Sequence, residues 1–359
     1  MCAALTLARR GLGRVWPNPA VGCVIVRDGI VLGRGWTQPG GRPHAEIEAL
    51  ARAGRATKGA DAYVTLEPCC HHGKTPPCTD ALIAAGIRRV IVAVEDPDPR
   101  VAGKGLKALR AAGINVVSGV SADAAAEINA GFFSTITRGR PLVTLKLSTS
   151  LDGRLAVASG ASRWITGEAA RARSHLLRTT HDAVMVGSGT VIADDPELTC
   201  RLPGLTDRSP VRVVIDGGLR VPLTARVVAD ARRAPTWFIV RNGIAGERRA
   251  ALAGCGVEVI DVPAMPGGET DLAAALSALA MKGITRVLVE GGATLAAALV
   301  RADLVDRIAW FQAPSLIGGD GLPALNALGI EAPGQAPRFV RIGIESVGED
   351  VLETLRRAN

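Results

Sequence analysis

The chain has 359 residues, beyond the ~250–300 at which a single hydrophobic core stops growing, so two domains are expected. An apolar content of 48% with 21% charged residues excludes wholesale disorder, and five Phe, five Trp and one Tyr are too few rings for a base-stacking nucleic-acid platform. The net charge of +8 is unevenly spread: residues 1–141 hold 18 Lys+Arg against 11 Asp+Glu, and the remainder holds 24 against 23, so the first part suits an anionic partner.

The opening MCAALTLARRGLG places its arginines after a short apolar stretch, the reverse of a secretion signal. It reads as the end of an amphipathic helix in a cytoplasmic protein, and no apolar run approaches a membrane span. The β-branched run 20–26 predicts a buried strand, and Arg27-Asp28-Gly29 a turn into the hairpin partner IVLGRGW. A helix is expected over 44–53, ended by Gly54, then a strand over 61–66 and a helix over 79–86. Strand 88–94, helix 105–113 and strand 114–119 continue the alternation, which implies βαβ crossovers. Residues 120–141 read as helix and connection, with the domain boundary at Arg138-Gly139-Arg140-Pro141. A second alternating set follows, with strands over 141–148, 182–187, 211–216, 235–240, 257–261, 285–291 and 306–314. Helices are expected near 168–178, 271–281 and 293–301, with surface loops at 203–210 and 263–268. The fold class is therefore α/β in two domains, 1–140 and 141–359.

Five of the seven cysteines lie in the first 78 residues, three of them within ten positions and beside two histidines. An odd cysteine count with such a cluster favours a metal site over a disulfide framework. His44-Ala45-Glu46 stands at a helix start, and TLEPCCHHGKTPPC follows some twenty residues later. A catalytic Zn²⁺ takes three protein ligands, keeps one position for water and makes that water acidic. A carboxylate that is not a ligand must then lie beside it to carry protons. His-x-Glu with Pro-Cys-x-x-Cys is the signature of zinc deaminases that act on nucleobases. Here the second cysteine is displaced to Cys78 by an inserted loop, so Cys70, His71 and His72 are rival ligands to Cys69 and Cys78. Cys69 is favoured because it follows the end of a strand, and Cys78 because a helix N-terminus stabilises a thiolate.

This stretch resembles the cytidine-deaminase-like superfamily, and its HHGKTPPC loop is similar to that of the pyrimidine deaminases of riboflavin synthesis. WPNPAVGCVIV (16–26) and EDPDPRVAGKGLKALRAAGI (95–114) fit the same branch. The resemblance implies that Glu46 shuttles protons, that His44, Cys69 and Cys78 hold one zinc, and that Asn18 and Lys74 face the substrate.

The later half carries LKLSTSLDGRLAVASGASRWITG (145–167), VGSGTVIADDPELTCR (186–201) and VLVEGGATLAAALV (287–300). Glycines between a strand and a helix let backbone N–H groups meet a phosphate. Together the three segments resemble the reductase domain of the same riboflavin-pathway family, similar in fold to dihydrofolate reductase. The resemblance implies an NADPH site lined by Ser148, Trp164, Thr190, Asp194 and the segment Gly292, Ala293, Thr294, Leu295, Ala296, Ala297 and Ala298. It also implies a substrate site of Ser162, Arg178, Leu198, Arg201 and Glu290. Arg178 and Arg201 suit a phosphate dianion through forked, charge-assisted bonds. Lys146, in a buried strand, and Asp152 are placed to orient the reacting sugar.

The expected function is bifunctional: zinc-dependent deamination of a phosphoribosylaminopyrimidine, then NADPH-dependent reduction of its ribosyl chain to ribityl. The expected partners are a small phosphorylated pyrimidine and further copies of the chain in a homo-oligomer, with no nucleic acid and no membrane. A nucleic-acid deaminase, and a metal-binding module fused to a reductase, are the rival readings.

Overall fold

Alternating strand and helix signals resolve into two compact units, Met1–Gly139 and Arg140–Asn359, in the computed structural model. The structure describes residues 1–73, 75–161, 164–244 and 246–358. Lys74 and Ser162, both expected in substrate sites, lie outside the described residues.

The first unit runs α1 (Cys2–Ala8), β1 (Gly22–Arg27), β2 (Ile30–Trp36), α2 (Ala45–Ala53), β3 (Asp61–Val64), α3 (Cys78–Ala84), β4 (Arg89–Val92), α4 (Lys104–Ala111), β5 (Asn115–Ser118), α5 (Ala122–Ile128) and α6 (Ala130–Arg138). The β1–β2 hairpin closes through Asp28 and Gly29 at φ 52° and 78°, the left-handed pair that a two-residue turn requires. The sheet order is β2-β1-β3-β4-β5; β1 is antiparallel to both neighbours, and β3, β4 and β5 are parallel. Its core includes Ile25, Val64, Leu82, Val90, Val92 and Leu109, all fully buried, each contributing about 1.5–3 kcal/mol by burial. The helix that begins after His44 lies very close to this sheet. A Cβ on Gly35 of β2 would stand 2.1 Å from the Ala45 carbonyl oxygen, so only glycine permits that approach.

The second unit runs β6 (Leu142–Ser150), β7 (Arg154–Ala156), α7 (Glu168–Thr179), β8 (Ala183–Gly187), α8 (Ser188–Asp194), β9 (Val211–Ile215), α9 (Arg226–Ala229), β10 (Thr236–Arg241), α10 (Glu247–Gly254), β11 (Glu258–Val262), α11 (Leu272–Met281), β12 (Arg286–Val289), α12 (Ala293–Arg301), β13 (Arg307–Ala313), β14 (Leu322–Pro323), β15 (Phe339–Val347) and β16 (Asp350–Arg357). The main sheet has the order β11-β10-β9-β8-β12-β6-β13-β16-β15. Strands β11 through β13 are parallel, and β16 and β15 close one side as an antiparallel hairpin. β12 returns late in the chain to lie between β6 and β8, which makes its carboxyl end a topological switch point, the usual place for a ligand crevice. The sequence reading did not anticipate α8, α10 or the β15–β16 hairpin.

Candidate active sites

In the first unit the strand-to-helix connections bring together the residues singled out from the sequence. His44 is the N-cap of α2, which places its ring at the mouth of the helix and Glu46 in the first turn. Cys69 lies in the loop after β3, and Cys78 is the first residue of α3. His44 Nδ1 is 3.3 Å from Cys78 Sγ and 3.7 Å from Cys69 Sγ, and the Cys78 N–H points at Cys69 Sγ at 3.4 Å. A tetrahedral zinc with ordinary bond lengths would separate its N and S ligands by ~3.6 Å, so the three donors fit the ion. All three ligand atoms lie within 4.8 Å of one another; among the described residues Cys70, His71 and His72 do not join such a group.

Electrostatics in this pocket follow from burial and crowding. A hydrogen bond from Cys78, opposed by burial and aided by His44, holds the Cys69 thiol down at about 4. Its contact with Cys69, together with burial, pushes the Cys78 thiol far up. A metal ion bound here would displace the thiol proton that lies between the two sulfurs. Glu46 is 3% exposed. Burial and the Cys69 charge push its carboxyl up to about 7, into the range of a proton carrier at neutral pH. Burial also raises Cys70.

Asn18 reaches the same region, with its amide packed on Gly41, three residues before His44. Arg42 was not anticipated. Its guanidinium donates to the Thr75 hydroxyl and lies beside Gly73, so it ties the inserted loop to the entry of α2. The buried Asp98, which Arg100 and nearby His71 hold below the usual carboxylate range, was also missed.

In the second unit the site gathers at the carboxyl ends of β12, β8 and β6. Arg178, on α7, donates to both oxygens of Glu290 at 2.6 and 2.9 Å and to the Thr199 carbonyl at 2.7 Å. Burial raises the Glu290 carboxyl, but Arg178 and Lys146 outweigh it and hold Glu290 at about 2. Lys146 faces this pair from β6, and burial lowers its ammonium. The expected phosphate fork of Arg178 is thus engaged by a carboxylate, because a buried guanidinium needs a charged partner. Arg201 is more open; it bonds Glu197 at 3.4 Å with its side chain 52% exposed. His175, missed in the sequence, stands between the two arginines. Burial and their charges lower it to about 4, so it is neutral. The i, i+3 spacing to Arg178 on α7 was the available signal.

Thr190, on α8, meets the glycine turn: its hydroxyl would lie 3.0 Å from a Cβ on Gly291 and 3.2 Å from one on Gly292. Gly292 has φ 46° and N-caps α12, which has no side-chain cap, so the Ala293 and Thr294 end of the helix is open to an acceptor. Leu295, Ala296 and Ala297 are buried. Their side chains face the core, so any contact they make with a cofactor runs through the backbone, and Ala298 lies deeper in the helix. Ser148 pairs in register with Phe311 of β13. Trp164 is 68% exposed, with the Arg171 guanidinium 4.6 Å from its ring centre. Asp194 ends α8, and buried Leu198 takes φ 59° in the loop that leads to Arg201. Asp152 accepts from Ser150 at 2.5 Å and from the N–H groups of Ile317 and Gly318. It therefore anchors a loop beside the site.

A His/Cys/Cys pocket with a buried carboxylate, and a doubly glycine-turned parallel sheet behind it in the chain, define a zinc deaminase domain followed by a reductase domain. The comparisons agree. A family model described as cytidine and deoxycytidylate deaminase zinc-binding region matches residues 1–94, and one described as RibD C-terminal domain matches residues 141–352. Riboflavin biosynthesis protein RibD of Escherichia coli (strain K12) is 44% identical over 362 residues, covering 98% of this chain and 96% of the relative. RibD of Bacillus amyloliquefaciens is 43% identical over 355 residues, covering 98% and 94%. The solved structure of Acinetobacter baumannii RibD superimposes with a TM-score of 0.89 at 40% identity, covering 99% of this chain and 97% of that one. That of a Thermotoga maritima diaminohydroxyphosphoribosylaminopyrimidine deaminase/5-amino-6-(5-phosphoribosylamino)uracil reductase gives 0.87 at 35% identity, covering 100% and 97%. The chain belongs to the RibD family of riboflavin biosynthesis proteins and is a bifunctional deaminase and reductase, with zinc and NADPH as its cofactors.

Proposed function

We propose that residues 1–140 convert 2,5-diamino-6-(5-phosphoribosylamino)pyrimidin-4-one to 5-amino-6-(5-phosphoribosylamino)uracil with release of ammonia. Residues 141–359 then reduce the ribosyl chain of that product to ribityl. The carrying observation is the close His44, Cys69 and Cys78 set beside a buried carboxylate outside it. When bound there, zinc supplies a Lewis acid that acidifies a water in its open position. His44, Cys69 and Cys78 would hold it. Glu46, the buried carboxylate beside this set, would hold a proton at the reacting carbon and carry it to the departing amino group. Asn18 would orient the pyrimidine, and the excess of Lys and Arg in this unit suits the phosphate, with Lys74 the contact that the family resemblance implies.

In the second unit NADPH supplies the hydride, and the protein supplies position and charge. Thr190, Gly292, Ala293 and Thr294 would hold its phosphates, with Ser148, Trp164 and Asp194 as further contacts. Arg178 fixes Glu290 toward the substrate, Lys146 and Asp152 orient the reacting sugar, and Arg201 with Leu198 bounds the phosphate end.

Among the described residues no helix is long and apolar enough to cross a membrane. Cytoplasmic location and a homo-oligomer complete the reading. The edge strand β15 supports self-association, because Val340, Ile342 and Ile344 are exposed on it. The test is ammonia release from the phosphorylated diaminopyrimidine, followed by NADPH oxidation. Release that persists after complete zinc removal, or release from RNA instead, would overturn the reading.

A further inference from the structure

Glu67 has no part in the chemistry above, yet it is 3% exposed and lies two residues before Cys69. Its oxygens accept four backbone N–H groups from one other stretch of chain. Oε2 receives those of Asp96 at 3.2 Å and Gly103 at 2.9 Å; Oε1 receives those of Gly105 at 2.8 Å and Leu106 at 3.1 Å. Two donors on each oxygen fill the roughly four acceptor sites of a carboxylate. Gly103 is the N-cap of α4, and Gly105 and Leu106 belong to its first turn. That helix has no cap from its own side chains. Glu67 therefore caps α4 from another segment and sets a negative charge at the positive end of the helix.

The backbone next to it is held as well. The Glu67 N–H donates to the Val94 carbonyl at 3.0 Å. A Cβ on Gly105 would fall 2.2 Å from the Pro68 carbonyl oxygen, so α4 rests on Pro68 at a distance only glycine allows. On the other side, the Cys69 carbonyl accepts from the N–H and the hydroxyl of Thr79 at 3.2 and 3.3 Å. Cys69 is thus held downstream by α3 and upstream, through Glu67 and Pro68, by α4.

We propose that Glu67 is a positioning residue for the zinc centre: it docks the start of α4 onto Glu67-Pro68-Cys69 and fixes the backbone from which Cys69 reaches the metal. This rests on the reading of Cys69 as a ligand. Groups that orient a ligand from behind change metal affinity about 10–100-fold when lost. Glutamine keeps the shape of Glu67 but turns an NH₂ toward two N–H donors, so half the docking bonds disappear.

The test uses the full, zinc-loaded chain as parent, Glu67→Gln and Gly105→Ala. Three quantities are followed: zinc transfer to a chromogenic chelator, hydrogen exchange of the Gly103, Gly105 and Leu106 amides, and NADPH oxidation on deaminated substrate as a check on the second unit. Glu67→Gln is expected to release zinc at least ~10-fold faster than the parent, to lose protection at those amides, and to keep its reductase rate. Gly105→Ala leaves the carboxylate intact but displaces Pro68, and faster zinc release is expected there too. It decides alone if Glu67→Gln fails to fold. Zinc release at the parental rate, with only the α4 amides exchanging faster, would make Glu67 a helix cap and overturn the proposal. A parent chain that takes up no zinc would overturn the ligand assignment itself, and this proposal with it.

Discussion

At the scale of single residues, the proposed role of Glu46 separates holding the metal from using it. Glu46→Gln is expected to keep one zinc per chain and to lose deamination by roughly 10²–10⁴-fold, the usual worth of a positioned proton carrier. Zinc content and ammonia release on the same sample check both halves. The cysteines divide differently. Cys69→Ser or Cys78→Ser is expected to strip the metal, whereas Cys70→Ser keeps it along with most activity, because Cys70 stands outside the ligand group; metal analysis of the three variants decides. The residues of the candidate metal group, His44, Cys69 and Cys78, were legible because each is a rare residue type at a fixed spacing. Those that support them were not. Glu67 acts through backbone amides 29 to 39 positions away, and Arg178 through a carboxylate 112 positions away. Nothing local in the sequence marks either partner.

At the scale of elements, the turn from α7 into β8 holds a buried histidine whose protonation opposes folding. His181 is 4% exposed; its Nδ1–H donates to the Leu177 carbonyl at 2.7 Å and its Nε2 accepts from the Thr144 hydroxyl at 2.9 Å. Both bonds suit the neutral ring, and burial lowers the imidazole to about 4. An unfolded histidine protonates near 6.5. Between those values the unfolded chain binds the extra proton, so the stability this group confers is complete above pH ~6.5 and falls as the pH drops toward about 4. The loss is on the order of 3 kcal/mol. Thermal melts of the parent across that range, set against His181→Asn, are expected to show a shallower acid slope in the variant. Equal slopes would remove His181 as the cause. Element type was readable wherever apolar residues ran continuously, as in β8, β9, β10 and β12. It failed at α8, which opens with Ser188-Gly189, and at β15, whose residues are largely exposed and gave no buried face to recognise.

At the scale of the whole molecule, the expected domain boundary lies after the clustered cysteines and before the glycine turn at Gly291-Gly292. A piece ending near Arg140 is expected to bind zinc and release ammonia with no nicotinamide cofactor present. One beginning near Pro141 is expected to oxidise NADPH when given deaminated substrate. A folded second piece that cannot use NADPH, or a first piece that needs it, would refute the assignment. The relation of late-chain β12 to its neighbours was beyond the sequence. Insertion between β6 and β8 is a long-range choice, and periodicity reports only local faces.

The passage from Gly139 to Arg140 is a covalent join between units that each have their own sheet and core. Its consequence is one of arithmetic and genetics. Every chain made delivers one deaminase site and one reductase site, so no change in expression can alter their ratio, and only the slower site can limit flux. A lesion confined to one site is expected to leave a chain that performs the other half-reaction. Chains bearing Glu46→Gln and chains bearing Glu290→Gln, each blocked alone, are therefore expected to complete the conversion when mixed. A cell carrying both alleles would then grow without added riboflavin, provided the intermediate leaves one chain and enters another.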